Sequence, residues 1–156
     1  MPAAWRTWPG RYIPRRQGRL GELGAQFTAR GAVHPMQAML NFAITVLAAR
    51  VTRVVIARGL DPAFGFLHDG RKPGRLSLVW DAIEPLRPGL VQAVFEFAGK
   101  RTFERKDFNV FVDKASGERS VRLAAALARE MAVVVMRAVP VAEAMPVVRW
   151  LIQRFV

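Results

Sequence analysis

Cysteine is absent from the chain. Disulfide bridges and thiolate metal centres are therefore excluded, which suits a cytoplasmic protein. Acidic residues are scarce as well: 12 Asp and Glu stand against 24 Lys and Arg, a formal net charge of +12. Long hydrophobic runs are few. Met1 to Gly10 holds no apolar core of the kind a signal peptide needs. The most apolar late stretch, Met131 to Ile152, is broken by Arg137, Pro140, Glu143, Pro146 and Arg149. No segment is expected to reach the ~18 apolar residues of a membrane span, and a soluble chain without a membrane partner is expected.

What the chain does contain is enough apolar material for one packed domain. Hydrophobic residues make up 52% of 156, with four Trp and ten Phe among them, too many for a disordered tail. Its basic residues are mostly Arg, 20 against four Lys. Arg presents a planar fork of donors that matches phosphate oxygens. A net charge this positive favours nucleic acid or an anionic membrane surface as partner. Arg-rich codon usage gives the same composition, and charge alone does not choose between them.

Residues 1–33 are expected to form a basic irregular arm or linker. Met1 to Gly31 carries five Gly, three Pro and six Arg, with Glu22 as its one acid, and Arg11, Arg15 and Arg16 fall within it. Residues 34–156 are expected to form a mostly α domain. His34-Pro35 opens a long helix, since Pro is tolerated in a first turn. Met36, Met39, Leu40, Ala43, Leu47, Val51, Val54 and Val55 recur at three- and four-residue steps along one face. Arg50, Arg53 and Arg58 follow, and Gly59 with Asp61-Pro62 stops the helix.

A loop from Ala63 to Arg75 follows, with turn chemistry at Gly70, Pro73 and Gly74. Ser77 is expected to cap a second helix, which Pro85 and Pro88 kink or end. A further helix is expected from about Gly89 to Gly99. Asp107 to Val112 alternates like a short strand. Glu118 to Val139 has helical spacing, and Val141 to Val156 reads as a last amphipathic helix.

The constellation that bears on chemistry is Gly65-Phe66-Leu67-His68 followed by Asp81 and Glu84. Three residues apart, the two carboxylates share one helix face. A loop His brought over that face completes a mixed nitrogen and oxygen donor set suited to Mn²⁺ or Mg²⁺. The same residues have plainer uses. A His after an apolar triplet is often a packed structural residue. An Asp/Glu pair near a helix start often caps it or pairs with a nearby Arg such as Arg87.

The order of these pieces resembles one family, the CRISPR-associated integrase and endonuclease of spacer acquisition. Gly59-Leu60-Asp61-Pro62-Ala63-Phe64-Gly65-Phe66-Leu67-His68 is similar to its "GLDP…GFLH" segment. Ser77-Leu78-Val79-Trp80-Asp81, continuing through Glu84-Pro85-Leu86-Arg87-Pro88, is similar to its "SL..D..EP.RP" segment. Ala38-Met39-Leu40-Asn41-Phe42 resembles an "ALLNY" helix, and Trp5 to Arg11 the linker before it. Asp107-Phe108 and Ala126 to Glu130 match more loosely.

The resemblance implies the helical C-terminal part of that integrase, with the β-rich N-terminal domain that pairs subunits expected to be absent. It implies a divalent metal, Mn²⁺ or Mg²⁺, held by His68 and Glu84, with Asp81 as a supporting acid. The family's third ligand, a glutamate from an upstream helix, should precede Trp5, so an incomplete site and an incomplete chain are expected. Glu22 is a poor substitute. Gln37 stands where the family often has Asn, and Ala48, Ala49 and Arg50 stand where acids are common. The activity implied is metal-dependent DNA cleavage and integration in antiviral defence. The partners implied are double-stranded or branched DNA, a second copy of the chain and the second adaptation protein. Phosphate contacts are expected at Arg11, Arg15, Arg16, Arg50, Arg53, Arg58 and Arg87. The alternatives are a non-catalytic basic DNA-binding helical module, or one piece of a split integrase.

Overall fold

A computed structural model describes residues 32, 34–65, 75–112, 119–140, 142, 145–146, 148–150 and 153. The architecture is mostly helical with one small hairpin, as the periodicity predicts. The basic arm apart from Ala32, and with it Arg11, Arg15 and Arg16, lies outside the described residues.

Helix α1, Pro35–Ala57, starts where the sequence indicates. His34 is its N-cap, and the imidazole Nδ1 accepts a hydrogen bond from the Met36 amide at 3.1 Å. Pro35 occupies the first turn, where a missing N–H costs nothing. Met36, Met39, Ala43, Leu47, Val51 and Val55 are all buried along one stripe. The end is set by Gly59 at φ +74°. The Gly59 amide donates to Ile56 (2.9 Å) and the Leu60 amide to Val55 (3.2 Å), which satisfies two terminal carbonyls.

By length and composition α1 is able to cross a membrane, which corrects the expectation that no segment reaches that length. The miss has a simple cause: Arg50 is the one charged side chain between Pro35 and Thr52. Here the apolar stripe of α1 forms the core with the other helices.

Helix α2, Ser77–Ile83, runs through a 3₁₀ turn, Glu84–Leu86, into α3, Arg87–Gly99. One expectation is corrected here. Ser77 is the first helical residue rather than the cap: Leu76 holds the cap position, with no side-chain cap hydrogen bond. Helix α2 ends at Ile83, just before Pro85, in keeping with the expected kink or stop. Pro85 and Pro88 both fall at the starts of new segments, where their missing N–H groups are not needed, and α3 begins at Arg87 rather than Gly89. Leu78, Val79, Ala82, Ile83, Leu86, Leu90, Val94 and Ala98 join the α1 stripe in one core.

After a 3₁₀ turn at Arg105–Asp107, strand β1 (Phe108–Val112) pairs antiparallel with β2 (Arg119–Leu123). The first strand is the one expected. The second replaces the start of the expected Glu118 to Val139 helix. Val121 and Leu123 are two apart, the spacing of one strand face and not of a helix face, and pairing with β1 makes this segment extended. The Val121 amide also donates to the Ala32 carbonyl at 2.6 Å, and β2 packs on α1. Helix α4, Ala125–Ala138, then buries Leu127, Met131 and Val135 against α1 and α3. Of the expected last helix, helical residues are described at 142, 145–146, 148–150 and 153, and Val148 is fully buried in the core.

Candidate active site

The segment leading to the loop His is built as a brace. Asp61 makes a local turn: its Oδ1 accepts from the Ala63 amide at 2.9 Å, and its carbonyl from the Phe64 amide at 3.2 Å. The Pro62 carbonyl then accepts from the Leu78 amide at 3.0 Å. One of the unpaired N–H groups at the start of α2 is thereby satisfied by the loop itself. Gly65 finishes the brace. A Cβ at this position would lie 2.6 Å from the Ser77 backbone carbon and side chain, and 2.8 Å from Asp81 Oδ2. Only glycine lets the loop come this close.

The two carboxylates of α2 and the following turn have different surroundings. Asp81 is 7% exposed, wedged between the helix and the Gly65 loop. Glu84 is three residues further and half-buried, its Oε1 3.1 Å from Arg87 Nη1, with side-chain exposures of 35% and 41%. The Arg87 Nε is buried with no hydrogen-bond partner among the described residues. His68 lies outside the described residues. Among the described residues no group of three His, Asp or Glu gathers closely enough to hold a metal ion.

The three Arg of α1 and its cap are placed differently from one another. Arg53 and Arg58 are exposed, and Arg58 Nη2 lies 3.9 Å from Met145 Sδ. Arg50 is half-buried. Its Nη1 donates to the carbonyls of Val139 (2.9 Å) and Val135 (3.4 Å), at the C-terminal end of α4. A cation there suits the helix dipole, so this side chain ties α1 to α4. Helical spacing gave no sign of that contact, which joins residues far apart in sequence.

The family described as CRISPR associated protein Cas1 matches residues 24–132. The chain belongs to the Cas1 family. A CRISPR-associated endonuclease Cas1 of Korarchaeum cryptofilum is 42% identical over 65 residues, covering 42% of this chain and 19% of that relative. Among solved structures, a casposase bound to its integration product matches 81% of this chain and 35% of its own, with 25% identity and a TM-score of 0.61. A partial Cas6-RT-Cas1–Cas2 complex shares the fold at 19% identity and a TM-score of 0.58, over 74% of this chain and 36% of that one. The chain thus spans about a fifth to a third of the length of these proteins. Within the Cas1 match lie the brace, Asp81, Glu84 and the hairpin.

Proposed function

We propose that this chain supplies the helical part of a metal-dependent DNA endonuclease and integrase of CRISPR adaptation. The observation that carries the proposal is the seat of Gly65 against Ser77 and Asp81. His68 follows three residues later, and three residues of extended chain span at most ~10 Å. The brace therefore supports an imidazole working beside the carboxylates of Asp81 and Glu84.

Their chemistry fits a hard divalent cation in part. Imidazole nitrogen and carboxylate oxygen suit Mn²⁺ or Mg²⁺, and His68 and Glu84 would hold it. The third, upstream carboxylate implied by the resemblance lies outside this set. Bound there, the cation supplies charge stabilisation at a phosphodiester and lowers the pKa of the attacking hydroxyl or water. The protein's own groups do the rest. Asp81, buried at the base of the brace, fixes the loop relative to α2. Arg87 holds Glu84 in place and offers its remaining donors to a phosphate. Arg53 and Arg58 meet the DNA backbone without reading sequence. Duplex or branched DNA is the substrate, as the casposase's bound integration product supports. The homodimer and the second adaptation protein belong to the same proposal.

The Glu84–Arg87 pair favours one second possibility, a DNA-binding module without chemistry, because the half-buried carboxylate already has a protein partner. Mn²⁺-dependent cleavage and strand transfer on branched DNA separate the two. Loss of both activities in His68→Ala and Glu84→Gln, with DNA affinity kept, is expected for the enzyme. Activity that survives both substitutions would sink the proposed site. Salt-sensitive binding with no cleavage in any variant would identify the module.

A further inference from the structure

The β1–β2 hairpin has two unlike faces. The register pairs Phe108 with Leu123 and Val110 with Val121 on one face, and Asn109 with Arg122 and Phe111 with Ser120 on the other. Phe108, Val121 and Leu123 hold the first face against the body of the protein. The distal half projects beyond it, since Val110 and Val112 are 59% and 55% exposed. The outward face is where a two-layer fold would ordinarily carry polar residues. It carries Phe111 instead, 46% exposed, with the Arg122 guanidinium 4.8 Å from the ring centroid. Asn109 and Arg122 are exposed beside it. At the base of the strand, Arg105 and Lys106 are exposed too. Among the described residues the nearby acids are committed: Glu104 pairs with Lys106, and Asp107 is buried against Arg101. No carboxylate sits on the outward face among the described residues.

We propose that this outward face binds single-stranded nucleic acid. An unpaired base stacks on the Phe111 ring, and the Arg122 guanidinium moves from the ring to the adjoining phosphate. Asn109 and Ser120 flank the ring and offer hydrogen bonds to base edges or sugar. Exposed aromatics on a sheet, rimmed by cations, are how sheet proteins hold unstacked bases. The net charge of +12 favours a polyanion over an apolar protein segment as occupant. The proposal is independent of the metal site: neither His68 nor Glu84 takes part.

Fluorescence anisotropy with labelled oligothymidine, oligouridine and a matched duplex tests it. Phe111→Ala weakens oligothymidine binding about tenfold, within the range for losing one base–aromatic stack. The duplex changes less than twofold. Arg122→Ala weakens the single strand and lowers its salt dependence. Phe111→Trp keeps affinity, and its added emission is quenched when the oligonucleotide binds. Equal losses with oligothymidine and oligouridine mean the shared chemistry of a stacked base is read, and a larger loss with one names the source. Glu84→Gln leaves single-strand affinity intact, so failure of the metal site is told apart from failure of this one. Unchanged affinity in Phe111→Ala, equal weakening of single strand and duplex, or no oligonucleotide binding by the unaltered chain would each overturn the proposal. Both side chains are exposed, and far-UV circular dichroism checks that the variants stay folded.

Discussion

Gly65→Ala is the sharpest perturbation the brace allows. The added methyl group would sit 2.6 Å from two atoms of Ser77 and 2.8 Å from an oxygen of Asp81. Ordinary carbon contacts begin near 3.5 Å, so the overlap approaches an ångström. One of the clashing atoms is backbone carbon in the first turn of a helix whose neighbours are buried. It cannot swing aside, so the loop must move. Moving it strains the Pro62 to Leu78 hydrogen bond and leaves Asp81 without its cover. Overpacking of this kind costs about 1–3 kcal/mol. For a chain of this size each kcal/mol lowers Tm by roughly 2–4 °C, so a fall of about 4–8 °C is expected for the middle of that range. Thermal melts followed by circular dichroism measure it, with Mn²⁺ affinity by electron paramagnetic resonance as the second readout. If Gly65→Ala melts within a degree of the unaltered chain and binds Mn²⁺ equally well, the loop does not depend on the close approach and the brace fails as an account of the site.

Three further outcomes are expected. Arg50→Ala removes two charged hydrogen bonds to the end of α4 and lowers unfolding free energy by about 1.5–3 kcal/mol in urea titrations, with DNA affinity changed less than twofold; a large loss of affinity without loss of stability would assign this side chain to phosphate after all. Arg101→Ala removes a side chain that meets Asp107, Glu130 and the rings of Phe97 and Phe103 together, so it loosens the hairpin base and speeds amide exchange at Val110 and Val121; unchanged exchange would show the cluster does not support the hairpin. Arg87→Gln frees Glu84 from a competing cation and raises Mn²⁺ affinity by up to about fivefold, the equivalent of a ~1 kcal/mol partly exposed ion pair, whereas weaker Mn²⁺ binding would mean that Arg87 orients the carboxylate instead.

The elements that local physics determines were legible in the sequence. The apolar stripe of α1, its His34-Pro35 start and its Gly59 stop all follow from periodicity and capping, and all three hold. Strand β1 was legible from its alternation. Strand β2 was missed because Leu123, Leu127 and Met131 step by four and drew the preceding residues into the helical run, although Val121 and Leu123 themselves alternate as in a strand. The resemblance singled out Gly65 as part of a motif but gave no reason for it. The reason is a distance to Ser77 and Asp81, residues that a linear pattern does not bring together. Arg50 shows the same limit. Its place in a row of Arg suggested phosphate contacts, while its partners lie on α4, where only the folded chain puts them.

Asp81 and Glu84 show why spacing alone left the site open between a structural and a chemical use. The two acids lie within one turn, and the fold divides the uses between them. Asp81 has little solvent around it and meets the loop, which in the proposed site gives it a positional use. Glu84 keeps about a third of its surface and, among the described residues, is matched by the half-buried cation of Arg87. Such a pair contributes at most about 1 kcal/mol in water. A divalent ion brings twice the charge of Arg87, and further donors beside it share the cost of stripping its waters. The ion pair is therefore too weak to reserve the carboxylate, and strong enough to keep it in place until a better cation arrives. Whether one arrives turns on the donors that join Glu84 in the proposed site, and the brace fixes Gly65, the last described residue before His68.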